Sequence, residues 1–185
     1  MCWSTFNGDV LMPDYHYSKR AAILIAVILT AANFATAQVE KQIAAIRADV
    51  NLINKSAAKY TKQKRDVEGV SLEGTEATYF LSGKGLKKIA AKMYGETFRG
   101  TVELYYSGEE LIFAFERIEK YNTHIAMTPP PKVVKIEETR LYRTGGKTIR
   151  ILSGKVQLKA DDIKFTEAEY ALIELADQLK AGLNR

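Results

Sequence analysis

From residue 70 to residue 152 hydrophobic side chains recur at every second position, and short Gly-bearing turns interrupt them at near-regular intervals. Period two is the spacing of a half-buried strand, so this stretch must fold as β-structure. The segments 72–81, 86–94, 98–106, 111–121, 133–143 and 147–152 read as six strands. Between them stand "SGKG" (82–85), "GET" (95–97), "SGEE" (107–110), "TPPP" (128–131) and "TGG" (144–146). Glycine at such points supplies the positive φ that tight hairpins need, and the short connections make each strand pair with its neighbour. Three segments, 78–89, 104–115 and 141–151, share an aromatic residue, a Gly-bearing turn and an aliphatic strand, as a repeated hairpin would.

Helical spacing flanks this region on both sides. Ile43, Ile46, Val50, Ile53, Ala57 and Tyr60 recur at steps of three and four, which predicts a helix over 39–63. Its polar end, "KYTKQKR" (59–65), places Lys59, Lys62, Lys64 and Arg65 in the last turn, where the helix dipole favours cations. At the other end Ala168, Leu172, Leu175, Ala176, Leu179 and Leu183 form a second stripe, closed by Gly182. Thr166 with Glu169 has the spacing of a capping box, and Phe165 with Tyr170 that of a hydrophobic staple. The fold class is therefore α+β. An antiparallel meander of about six strands is flanked by an N-terminal and a C-terminal helix, both expected on its one apolar face.

Residues 1–37 stand apart from this globule. Lys19 and Arg20 precede the apolar run "AAILIAVILTAANFA" (21–35), and "ATA" (35–37) follows it. A basic start, a short apolar core and small residues at −3 and −1 make a secretory signal, with cleavage expected after Ala37. The run is shorter than the roughly 20 residues of a spanning helix, so no stable membrane span is expected after cleavage. Residues 1–17 read as an upstream extension, with Met1 or Met12 as the start. The remaining 38–185 reads as one globular domain, exported to the periplasm or the medium.

Removing 1–37 takes away Lys19 and Arg20 together with Asp9 and Asp14, so the formal charge stays at +5. The only cysteine, Cys2, goes with them, which leaves no disulfide, thiolate metal site or cysteine nucleophile. One histidine, His124, remains, too few for a zinc site and without a Gly-x-Ser-x-Gly elbow to serve. The aspartates of "ADD" (160–162) lack calcium-loop spacing. No metal or cofactor is expected, and no base-reading motif points to nucleic acid.

The hairpin "VELYYSGEELIFAFE" (102–116) holds the candidate sites. Val102, Leu104 and Tyr106, with Leu111, Phe113 and Phe115, are expected on the covered face. Tyr105, Ile112 and Ala114 are expected on the other face, among Lys and Glu. Tyr105, Ile112, Arg99 and Arg117 are the candidate binding residues, with an envelope protein or an anionic envelope polymer as partner. The alternative is a hydrolase of envelope carbohydrate using Glu103 and Glu116, since a glycosidase needs two carboxyl groups about 5–10 Å apart. Alternating Lys and Arg around them favour ordinary ion pairs, so the non-catalytic binding module is preferred.

The stretch "MYGETFRGTVELYYSGEELIFAFERIEKYN" (93–122) resembles a group of uncharacterised exported bacterial proteins that carry a "YGE…EYYF-x-x-G-x-L-x-F-V" pattern. The likeness extends to "EETRLYRTGGKTIRIL" (137–152) and to a Glu- and Leu-rich C-terminal helix. It covers most of 40–183, with 93–122 its specific part, and departs at the 144–147 turn, where Gly145 and Gly146 replace acidic or Asn residues. The resemblance implies export and this architecture, and carries no activity with it.

Overall fold

A computed structural model describes residues 16–83 and 85–184, with side chains described from Thr36 to Leu183, Lys84 apart. The upstream extension, Cys2 and the choice between Met1 and Met12 lie outside the described residues, as do the side chains of the apolar run. The chain divides into two units, 1–40 and 41–185. The described part of the first is helical backbone, the opening portion of α1 (His16–Ser56). Among the described residues, no helix is long and apolar enough to cross a membrane.

The second unit contains the β-structure. Eight strands run in sequence order, each antiparallel to the next: β1 (Thr61–Asp66), β2 (Thr75–Ser82), β3 (Gly85–Gly95), β4 (Phe98–Ser107), β5 (Glu110–Tyr121), β6 (Val133–Thr144), β7 (Lys147–Ser153) and β8 (Val156–Gln157). The α+β meander is as the sequence predicts, with two strands more than the six expected. The first of them corrects the end of the N-terminal helix. That helix stops at Ser56, a short 3-10 turn covers Ala57–Lys59, and "TKQKRD" pairs with β2 from Thr61↔Leu81 to Asp66↔Glu76. Five of these six side chains are exposed, so no apolar alternation betrays the strand. Backbone pairing holds it, and its lysines suit an outer strand that must resist edge-to-edge association.

The two helices cover opposite faces, which corrects the single apolar face. On one, Leu172, Ala176 and Leu179 of α2 (Ile163–Ala181) pack on Tyr79, Leu104, Leu141 and their neighbours. On the other, Ile53 and Val50 of α1, with Tyr60, cover Tyr105 and Ile112. A bulge in the β4–β5 hairpin explains the mistaken alternation. Tyr105 pairs with Phe113 and Tyr106 with Leu111, which leaves Ile112 as an extra residue. Beyond it, Phe113 and Phe115 turn to the α1 face and Ala114, fully buried opposite Leu104, to the α2 face.

The start of α2 also differs from expectation. Asp162, not Thr166, is the N-cap, and its Oδ1 accepts a 3.0 Å hydrogen bond from the Lys164 N–H. The helix thus begins a turn early and Phe165 joins the core. At its other end the buried Tyr79 hydroxyl donates to the Leu179 carbonyl at 2.7 Å. Gly182 has φ −62°, which any residue adopts, yet a Cβ there would lie 2.7 Å from the Tyr79 hydroxyl and 3.0 Å from Val67. Close approach, not backbone freedom, requires this glycine. Gly182→Ala is expected to lower stability by about 1–2 kcal/mol through loss of the Tyr79 bond, measured by thermal unfolding.

Candidate functional site

The strand registers align side chains of the α1 face into rows that cross the sheet. One row runs Lys62, Phe80, Lys88, Tyr105, Phe113, Tyr142. Its rings form a ladder, with Tyr105 and Phe113 centroids 5.8 Å apart and Phe113 and Tyr142 4.9 Å apart. Helix α1 seals this row. Tyr105 is 1% and Ile112 6% exposed, so neither is the surface residue that strand alternation suggested. Their burial follows from the apolar stripe of α1, which has no other surface of the sheet to cover.

Beneath the helix lies a polar cluster. The nearly buried Lys88 ammonium donates to Glu103 Oε1 at 2.7 Å, the Tyr105 hydroxyl at 3.0 Å and Asn54 Oδ1 at 3.1 Å. The Tyr105 hydroxyl in turn donates to Glu103 Oε2 at 2.7 Å. Burial works to raise the Glu103 carboxyl, but hydrogen bonds from Lys88 and Tyr105, with the Lys88 charge, hold it below the ordinary carboxylate range. Burial first, and then the bond to Glu103, push the Tyr105 phenol well above its usual value. At neutral pH the carboxylate is ionised and the phenol neutral, so neither is poised to exchange a proton. The cluster fastens α1 to the sheet through Asn54.

The next row runs Lys64, Thr78, Ala90, Glu103, Phe115, Arg140, and the one after it Asp66, Glu76, Lys92, Thr101, Arg117, Glu138. Short side chains at Thr78, Ala90 and Thr101 lie between long ones, and the difference in height opens a groove of about 770 Å³ on the α1 face. Lys64, Glu76, Lys92, Glu103 and Phe115 wall it. A recess of about 250 Å³ adjoins it through Lys92 and Thr101, lined also by Tyr94, Arg99, Arg117 and Glu119.

Two of the four sequence candidates therefore border open space. Arg99 is exposed and has no ion pair among the described residues, and Lys92 is like it. Arg117 is held by Glu119 at 2.7 Å and Glu138 at 3.8 Å. The carboxylate pair does not form. Glu116 is the register partner of Val102 and projects to the α2 face, where burial and then the Glu137 charge raise its carboxyl. Glu103 projects to the α1 face, so the two cannot flank one bond. His124 is exposed and its Nδ1 accepts the Ala126 N–H at 3.1 Å, a turn contact. No group of three metal-ligating side chains occurs among the described residues.

The groove floor was not among the sequence candidates. Thr78, Ala90 and Thr101 carry no signal individually; they meet only once the β2–β3 and β3–β4 registers are known. No protein-family model, curated protein or solved structure matches the chain.

Proposed function

We propose that this chain is an exported, non-catalytic binding module of the cell envelope, and that its ligand lies in the groove beside α1. The observation that supports this reading most is the groove itself, large enough for a ligand of drug size. It is floored by short side chains and bordered at one end by the uncommitted cations Lys92 and Arg99. An anionic chain, whether an envelope polymer or an acidic protein segment, would rest on Thr78, Ala90 and Thr101. It would direct its charge to that cationic end. Glu76, the register partner of Lys92, and Asp66 beyond it would turn the anion away from β1 and toward Arg99 by repulsion. Export rests on the basic–apolar–Ala-x-Ala sequence of residues 19–37 and on the resemblance given above.

Two experiments separate these parts. Mass spectrometry of the chain recovered from cells is expected to find an N-terminus at Gln38, and an unprocessed chain would refute export by this signal. Ala90→Arg fills the groove from the position opposite Glu103. It is expected to weaken capture of the envelope partner at least tenfold, about 1.4 kcal/mol, with unfolding temperature unchanged within a few degrees. Capture equal to that of the parent chain would remove the groove from the account.

A further inference from the structure

On the α2 side of the sheet, at the end where the 107–110 and 144–146 turns lie, a further cavity of about 300 Å³ is lined by Tyr106, Glu110, Arg143, Ile173, Asp177 and Lys180, among others. Most of its polar groups already have partners. Lys180 pairs with Glu109 at 2.7 Å and lies over the Tyr106 ring at 5.6 Å, Glu110 accepts the Gly146 N–H at 2.8 Å, and Arg143 Nη2 donates to the Gly146 carbonyl at 2.7 Å.

Three groups are left over. Tyr106 is 3% exposed, and its hydroxyl is buried without a hydrogen-bond partner. Arg143 Nη1 is likewise buried and unsatisfied, and its guanidinium has no carboxylate partner among the described residues. Asp177, exposed at the rim on α2, has no ion pair among the described residues. An orphaned buried donor costs about 1–3 kcal/mol, and two on one cavity wall indicate a place built for a polar guest. Burial, and after it the Asp177 charge, raise the Tyr106 phenol, so it is a neutral donor over the accessible pH range.

We infer that this cavity is a binding site for a small zwitterion, a free α-amino acid or a molecule of that size. Its carboxylate would accept from Arg143 and Tyr106, and its ammonium would face Asp177. A simple anion would leave Asp177 facing a negative charge, and a simple cation would leave Arg143 unsatisfied. Only a guest carrying both charges satisfies all three groups. Its volume is at the small end of the range for ligand pockets, about 300–1,000 Å³, which excludes a polymer. This site is independent of the groove beside α1.

The test is calorimetric titration of the purified protein with L-alanine, and with acetate and methylamine as the two halves of the same charge pattern. L-Alanine is expected to bind with Kd on the order of 1 mM, and each half at least tenfold more weakly. Tyr106→Phe, which keeps the ring, and Asp177→Asn, at an exposed position, should each weaken alanine binding about tenfold. Circular dichroism should confirm that both remain folded. Acetate binding as tightly as alanine would overturn the zwitterion assignment. Absence of all three at about ten times that concentration would overturn the site and leave a cavity that holds water. Binding unaffected by both substitutions would place the ligand elsewhere.

Discussion

Leu104→Ala is expected to remove about 3–4 kcal/mol of folding stability. Leu104 is fully buried and belongs to the cluster in which α2 packs on Tyr79, Ile89 and Leu141. It is in β4, which has full-length neighbours on both sides, so the cavity left behind cannot close by movement of an edge. Urea unfolding should show a lower midpoint with an unchanged slope, since the loss is of packing and not of exposed area. A loss below about 1 kcal/mol would mean that the β4–β5 register differs from the one described.

The second large effect concerns the cluster under α1. Glu103→Ala leaves the Lys88 ammonium, whose side chain is only 9% exposed, without its counter-charge. Breaking a fully buried pair costs about 3–5 kcal/mol. The Glu103 side chain is 40% exposed, so water repays part of it and about 2 kcal/mol is expected. Lys88→Met should cost less, because the stranded carboxylate then faces the groove and its water. The double substitution should recover most of the difference, a coupling that a double-mutant cycle measures directly.

The same pair sets a pH response. Glu103 is held below its ordinary value in the folded chain, so it binds protons more readily when unfolded. Its contribution is present above the unfolded value of 4.5 and is lost as pH falls from there through the folded value. Glu116 acts in the opposite sense. Its folded carboxyl is raised, so protonation relieves it, and Glu116→Gln should stabilise the chain at neutral pH. Acid unfolding curves of Glu103→Gln should therefore be flatter than the parent's below that value.

The elements were legible in the sequence wherever a periodicity met a turn signal. Gly83, Gly108, Gly145 and Gly146 take positive φ in the hairpins they announced; the stripe of α2 packs as its spacing implied, and that of α1 as far as Ile53, with Ala57 and Tyr60 lying past the helix end. Strand β1 was hidden because an outer strand with charges on both sides has no hydrophobic period. Asp162 was passed over as a cap since the Thr166–Glu169 pair displays the stronger local pattern. The faces were harder. A single extra residue at Ile112 reverses the parity of β5, and nothing in "GEELIFAF" marks a bulge. Tyr105 reads as an exposed aromatic among charges because nothing in β4 shows that α1 covers this second face, where it is the anchor on which the helix rests. The groove depends on short side chains from β2, β3 and β4 that meet across two neighbouring rows, a coincidence of register that no one segment contains. Arg99 was reachable because alternation holds along β4 from Arg99 to Tyr105, whereas Arg117, beyond the bulge in β5, reaches the α1 face through the reversed parity.

The central claim is that the partner occupies the uncovered part of the α1 face. A photo-reactive residue at Thr101, in the groove floor, tests it most directly when irradiated in intact cells beside the same residue at Tyr170, which is exposed on α2. The account predicts a discrete adduct from Thr101, suppressed by Ala90→Arg, and none from Tyr170. An adduct from Tyr170 alone, or from neither position, would contradict it.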